Sequence, residues 1–449
     1  MISLPQAAPR VAKLTALSIG VALLASACGG SSTPTSTTSA AGAAGGIACP
    51  AASATAGATS TAAETGSVPP STTTTPTPLK IGSLLPTTGS LAFLGPPEIA
   101  GVNLGIKEIN AAGGVLGKPV EVIHRDSGDT KTDIATQSTT ALLGSGVSAI
   151  IGAASSGVSK TVINQITGAG VLEFSPANTS PDFTTWDDKG LYWRTAPSDV
   201  LQGKVLGNYM ATCGAQTLGM MVLNDAYGTG LQKNVKQAFT AAGGQVVAEQ
   251  LFNTGDSQFS SQVDALVAAK PDAIALITFD EAKSIIPLLT GKGIKPEQLF
   301  LVDGNLFDYS KDFKTGTLKG SRGTQPGTFA KEDFKKSLLA IDPALRTFNY
   351  AGESYDAVNM TALAAEAAKS TKGTDIAKQL KAVSEGGEKC STFPSCVTLL
   401  RNGKDIDYDG QSGPITFSDA GDPTEAYIGI YEYDDTNKPQ PVKEEFGKL

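Results

Sequence analysis

The chain has 449 residues, room for two domains and further segments on ordinary domain sizes. Its 35 Lys and Arg against 43 Asp and Glu give a formal net charge of -8, which argues against a nucleic-acid partner, since phosphate binding needs a basic face. One His, with five Cys and no Cys-x-x-Cys spacing, argues against a metal centre.

Residues 1–28 read as an export signal. Arg10 and Lys13 form a positive leading region, and residues 14–24 are an apolar run too short for a comfortable membrane span. The run ends in "LLASAC", and small residues leading into a Cys resemble the lipobox of bacterial lipoproteins. That resemblance implies that Cys28 is lipidated on sulfur and becomes the new N-terminus; cleavage after "ASA" with Cys28 incidental is the other reading. Residues 29–78 are almost entirely Ser, Thr, Ala, Gly and Pro, too poor in large apolar side chains to offset their ordering entropy. They are expected to form a disordered tether with an r.m.s. reach of about 40 Å. No later segment is apolar enough for a bilayer span. The export signal also implies an oxidising compartment, where Cys390 and Cys396, bracketing "STFPS", are expected to form a disulfide. Cys49 and Cys213 remain, paired with each other or free.

From Leu79 strands and helices alternate. "LKIGSLLP" reads as a strand, and Ile99, Val102, Ile106 and Ile109 recur at three and four to make a helix that Gly113 and Gly114 stop. "PVEVIHRD", "VSAIIG" and "VLEFSP" are strands, with "TDIATQSTTALLGSG" and "SKTVINQITGAG" as the helices between them. After "LYWRTAPSD" the alternation restarts. Helices "VLQGKVLGNYMATCG", "GLQKNVKQAFTAAGG", "SQFSSQVDALVAAK" and "EAKSIIPLLTGKG" separate strands "TLGMMVLND", "QVVAEQLF", "DAIALITF" and "QLFLVDG". A tail holds helix "SYDAVNMTALAAEAAK", the Cys390–Cys396 loop and two late strands, "GPITFS" and "AYIGIYEY". Alternation at this spacing implies an α/β fold of two doubly wound parallel-sheet units.

Ligands of such sheets bind beyond the carboxyl ends of the strands. The loops there are "PTTGSLAFLG", "GAASSG" and "SPANTS" in the first unit, and "NDAYGTG", "TFDEA" and "VDGNLFD" in the second. The loop carrying Ser155 and Ser156 runs straight into a helix, whose N-terminus favours an anion; a plain cap by Ser156 or Ser159 is the structural reading of the same residues. In "SPANTS", Ala177 offers a carbonyl and Thr179 a hydroxyl, an arrangement that suits an ammonium group and equally an ordinary hydroxyl turn.

The order "IGSLLPTTG", "GVNLGIKEINAAGG", "IIGAASSG", "FSPANTSPDF", "LNDAYGTG" and "SGPITF" resembles the leucine/isoleucine/valine-binding protein family, the substrate-binding proteins of branched-chain amino-acid ABC transporters. The resemblance covers nearly the whole folded part. It implies a type I periplasmic-binding fold with two lobes, 79–197 plus 328–410 and 198–327 plus 411–449, joined by a three-segment hinge. The Pro and Gly content puts the crossovers near 194–199, 323–329 and 409–413. The resemblance implies that Ser156, Ala177 and Thr179 hold the α-carboxylate and α-ammonium of an amino acid. Tyr227 matches the aromatic of the second lobe's first loop, and Asp303 falls where the family usually has Glu against the ammonium. Leu94 takes the place of an aromatic, with Phe93 adjacent; Phe279 or Asp280 stands at a further aromatic position. It also implies a monomer outside the cytoplasm, anchored to the membrane through Cys28, that delivers its ligand to ABC permease subunits, with no cofactor. Urea, a short amide or an aromatic acid are alternative ligands, and presentation to a sensor is an alternative role.

An enzyme would need an activated nucleophile or an acid–base pair, and the chain has neither a G-x-S-x-G elbow nor a P-loop. The lone His124 lies at a strand end, and the adjacent Asp280 and Glu281 begin a helix, an end that acidic residues favour.

Overall fold

The computed structural model describes residues 47–50 and 68–449. The export signal, Cys28 and most of the tether lie outside the described residues. The first unit runs β1 (Lys80–Leu85), α1 (Gly95–Ala111), β2 (Glu121–Asp126), α2 (Ile134–Gly144), β3 (Ala149–Gly152), α3 (Ser156–Gly168), β4 (Leu172–Ser175) and β5 (Tyr192–Arg194). The second runs α4 (Asp199–Thr212), β6 (Thr217–Leu223), α5 (Ala226–Ala241), β7 (Gln245–Phe252), α6 (Ser260–Ala268), β8 (Ala273–Ile277), α7 (Ala282–Gly291), β9 (Leu299–Val302) and β10 (Arg322–Pro326). The chain then returns to the first unit with α8 (Glu332–Ile341), α9 (Ala351–Ala368), α10 (Gly373–Ala377), β11 (Glu388–Cys390), α11 (Phe393–Arg401) and β12 (Ile406–Tyr408). It ends in the second with β13 (Glu425–Tyr433) and β14 (Pro439–Lys448).

The first sheet has the order β2-β1-β3-β4-β5, all parallel. The second has the order β14-β13-β10-β9-β8-β6-β7; its five strands from β6 to β10 are parallel, and β13 and β14 add an antiparallel edge. Both parallel portions therefore share one winding, reversing direction between β1 and β3 and between β6 and β8. At such reversals the loops diverge and leave a crevice. The central strands β3, β8 and β9 are buried end to end and read as near-continuous apolar runs, whereas edge strands β2 and β7 are half-exposed. Helix α9 is buried along almost its whole length and shares a core with β1, β3 and β4.

Two of the three passages between the sheets lie between β5 and α4 and after β10. The third does not fall at 409–413. Ile415 and Phe417 stay in the core of the first unit, with Phe417 against Trp193 and Phe174, and the chain joins the second sheet only at Glu425. "GPITFS" is accordingly not a strand; it contributes a single bridge, Phe417 to Pro423. Glu353, in the first turn of α9, sits among the crossovers. Its backbone carbonyl accepts from Thr195 Oγ1 at 3.0 Å, and a Cβ on Gly327 would lie 2.0 Å from its carboxyl oxygen. Burial above all pushes the Glu353 carboxyl up to about 8, and it pushes the neighbouring, fully buried Glu98 well above the carboxylate range. Cys390 and Cys396 are joined, linking β11 to α11, and Cys49 is joined to Cys213, just beyond α4.

Candidate functional site

The polar loop after β4 is fastened to the loop after β3 by its own side chains. Ser175 Oγ donates to the Ala153 carbonyl at 2.7 Å and accepts from Asn178 N at 2.9 Å. Asn178 Nδ2 donates to the carbonyls of Ala153 and Ala154 at 3.0 and 2.8 Å, while Tyr192 OH donates to Asn178 Oδ1 at 3.0 Å. Ser180 N donates to Ser156 Oγ at 3.3 Å. The cap of α3 is Ser155, which accepts from Val158 N, rather than Ser156 or Ser159. Both the Ser155 and the Ser156 hydroxyl keep a proton to donate at the positive end of this helix.

Across the crevice, Asp303 follows β9 and is buried. Its Oδ1 accepts from Tyr227 OH at 2.7 Å and from Gln202 Nε2 at 2.9 Å; its Oδ2 accepts from Tyr350 OH at 2.7 Å. Burial raises its pKa, and the donors from Tyr350, Tyr227 and Gln202 oppose that rise. Tyr350 precedes α9 of the first unit, in the left-handed region at φ 57°, so this bond joins the two units. Phe93 stacks on Phe307 at 4.7 Å and Tyr227 on Phe279 at 5.3 Å. Leu94, Ala154 and Ala177 of the first unit lie in one apolar cluster with Tyr227 and Phe279 of the second. The units touch closely: a Cβ on Gly230 of α5 would come within 2.8 Å of Pro181 Cδ.

Two groups in this contact are unmatched. The Thr179 hydroxyl and both carboxylate oxygens of Asp199 are buried without a hydrogen-bond partner of acceptable geometry. The two residues are adjacent, since Asp199 N donates to the Thr179 carbonyl at 2.7 Å. Burial first, and the Asp303 charge second, push the Asp199 carboxyl well above its usual range; the Thr179 hydroxyl and Arg194 oppose this. Asp225, which caps α5 through Gly228 N at 2.7 Å, is pushed up to about 6 by burial against the same contact.

Of the residues singled out in the sequence, Ala177, Thr179, Tyr227, Asp303, Leu94 and Phe279 are brought together, with Ser155 and Ser156 at the α3 end. Asp280 is not; it is exposed, and the buried acid of that pair is Glu281, which accepts from Phe279 N at 2.9 Å. The sequence reading missed Asp199, Gln202 and Tyr350. Asp199 reads as an acid placed to suit the start of α4, and Gln202 lies one turn on, at the spacing that shares a face. No local signal marks Tyr350, 47 residues from Asp303.

The model of the Periplasmic binding protein family matches residues 78–422. The chain belongs to that family. This periplasmic binding protein is 31% identical over 193 residues to the leucine-, isoleucine-, valine-, threonine- and alanine-binding protein of Pseudomonas aeruginosa, an alignment covering 42% of this chain and 51% of that one. It is 28% identical over 314 residues to Leu/Ile/Val-binding protein homolog 1 of Brucella abortus, covering 67% of this chain and 81% of the relative. Among solved structures it is similar to the branched-chain amino acid transporter substrate binding protein LivJ of Streptococcus pneumoniae in complex with isoleucine, at 23% identity and a TM-score of 0.68 over 83% of this chain and 100% of that one. A solute binding protein of R. palustris in complex with benzoate gives 19% identity and a TM-score of 0.67, over 83% and 98% of the two chains. At these identities the two structures speak for the fold, the type I periplasmic-binding arrangement. The family is one of exported solute-binding proteins, and no helix among the described residues is long and apolar enough to cross a membrane.

Proposed function

We propose that this periplasmic binding protein is the solute-binding component of an ABC importer, taking an amino acid, branched-chain first, between its lobes and delivering it to a membrane permease. Thr179 and Asp199 carry the reading: a buried hydroxyl and a buried carboxylate, both unpartnered, where the lobes meet. A primary ammonium has three donors and one positive charge, which these acceptors lack. Ser155, Ser156 and the α3 N-terminus suit the ligand carboxylate. Leu94, Ala177, Tyr227 and Phe279 suit an aliphatic side chain. In this scheme Asp303, held by three protein donors, orients the site and adds charge, while Asp199 meets the amine directly. Lobe closure expels water and strengthens each charged hydrogen bond, and the closed form is what the permease engages. Cys28 carries the lipid that keeps the protein at the membrane.

The benzoate complex favours a second reading, an aromatic acid bound beside Phe93, Tyr227 and Phe279. Such a ligand has no donor for Thr179 and adds a negative charge beside Asp199 and Asp303, an arrangement that like charges disfavour. Calorimetric titration with leucine, isoleucine, valine, benzoate and urea tests the choice. At least one of the three amino acids should bind at micromolar strength, about -8 kcal/mol. Benzoate or urea binding tighter than all three would overturn the amino-acid reading.

A further inference from the structure

We propose that Arg194 is the positioning residue of the loop that grips the ligand amine, and that it sets this loop from the hinge. The proposal rests on the amino-acid reading above. Arg194 ends β5, where the first crossover begins, and is fully buried. Its Nη1 donates to the carbonyls of Asn178 at 3.2 Å and Ser180 at 2.7 Å, the two residues that flank Thr179. Its Nε donates to Asp422 Oδ1 at 2.6 Å, and its Nη2 to Thr184 Oγ1 at 3.3 Å. Thr184 Oγ1 in turn donates to Asp422 Oδ2 at 2.6 Å, and the Arg194 backbone N–H donates to the Gly421 carbonyl at 3.1 Å. Asp422 lies just before β13, in the third crossover.

One planar group thus touches two of the three crossovers and the ligand loop. The loop carbonyls alternate in what they meet: those of Asn178 and Ser180 go to Arg194, and that of Thr179 goes to Asp199 N at the start of α4 in the other lobe. Pinning both flanking carbonyls leaves Thr179 one orientation, with its hydroxyl beside Asp199. The task needs arginine, since lysine offers a point charge without the rigid fork of donors. Burial of the ion pair is weak support for a purely stabilising role, because apolar residues of similar volume often serve as well. What the fork adds is geometry, shared between hinge and loop.

The test uses the full chain with Arg194→Lys and the milder Thr184→Val, which keeps the ion pair and removes only the bridging hydroxyl. Amide hydrogen exchange at residues 177–180 reads the clamp with no ligand present. Arg194→Lys should speed it about tenfold while β1 stays unchanged. Titration with leucine and with 4-methylpentanoate, which lacks the amine, gives the affinity ratio that reports the amine grip. That ratio should fall about tenfold in Arg194→Lys and about threefold in Thr184→Val. A merely structural role would lower both affinities together, or neither, leaving the ratio at its wild-type value; that result, or unchanged loop exchange, overturns the proposal. If Arg194→Lys fails to fold, Thr184→Val carries both readouts with the same criteria. A wild-type chain that binds no amino acid, while loop exchange still responds to the variants, overturns the amino-acid reading and leaves the clamp standing.

Discussion

Asp303 and Asp199 show how a carboxylate's role depends on what surrounds it. Asp303 is saturated by phenol and amide donors, so its charge is already answered by the protein; Asp199, equally deep, has no hydrogen-bond partner of acceptable geometry, and only the nearby Thr179 hydroxyl and Arg194 favour its charge. Thr179→Val, which keeps the shape and removes the hydroxyl, should therefore weaken leucine binding by about 1–3 kcal/mol, roughly five- to a hundredfold. Asp199→Asn should cost more than Asp303→Asn, because it removes the charge that the ammonium meets. Calorimetry on the three variants checks the order, and equal losses would return the ammonium to Asp303. Glu353 makes a separate prediction about pH. The folded protein holds its proton up to about pH 8, whereas the unfolded chain releases it near the ordinary value of 4.5. Stability contributed by that proton is full at low pH and declines as the pH rises through this window, by up to about 1.4 kcal/mol per pH unit. Glu98 and Asp356 face it, and burial raises both of their carboxyls as well, so part of the decline stays when Glu353 is replaced. Glu353→Gln should flatten the decline between pH 5 and 8 in urea denaturation, and parallel curves for variant and wild type would refute it.

Among the elements, α5 makes the sharpest test, because Gly230 sits inside a helix where Ala would ordinarily be favoured by about 1 kcal/mol. The close approach of Pro181 gives a reason for the glycine: the helix is loosened so that the lobes can meet. Gly230→Leu should leave thermal stability equal or higher while lowering leucine affinity roughly five- to a hundredfold, the range expected of an overpacked contact. Unchanged affinity would mean that closure does not bring these surfaces together. The same scale explains what could be read from the chain. Helix α1 was legible because Ile99, Val102, Ile106 and Ile109 mark one face, and β8 because "AIALI" is a buried run. Strands β10 and β14 were not. "RGTQP" and "PQPVKEEFGK" carry Gly, Pro and charge that argue against a strand, and it is pairing with β9 and β13 that makes them one. The loop residues Ala177, Thr179 and Tyr227 were legible because strand ends are where such sheets bind ligands. Asp199 was hidden by its ordinary place in a first helical turn, and Tyr350 by distance along the chain.

For the molecule as a whole, the two disulfides should differ in weight. Cys390 and Cys396 are 6 residues apart and Cys49 and Cys213 are 164 apart. On chain-entropy grounds the first contributes about 2 kcal/mol and the second about 5 kcal/mol. Denaturation of Cys390→Ser with Cys396→Ser, against Cys49→Ser with Cys213→Ser, should show the second pair costing more. The proposed anchor has its own check: Cys28→Ser should move the protein from the membrane fraction to the soluble one, and a variant that stayed with the membrane would exclude a lipid at that sulfur.

The Cys49–Cys213 link also decides where a lipid at Cys28 would pull. Without it the leash would run roughly 40 residues to Val68, which packs against the core of the first unit, at most about 145 Å at 3.6 Å per residue. With it the leash ends at Cys49 after roughly 20 residues, at most about 75 Å, and its load falls on the end of α4. The lobe carrying Asp199 and Tyr227 would then be the one held nearest the membrane, with the other swinging outward from it. Reduction of a single bond would lengthen the leash about twofold and move the point of attachment to the opposite lobe.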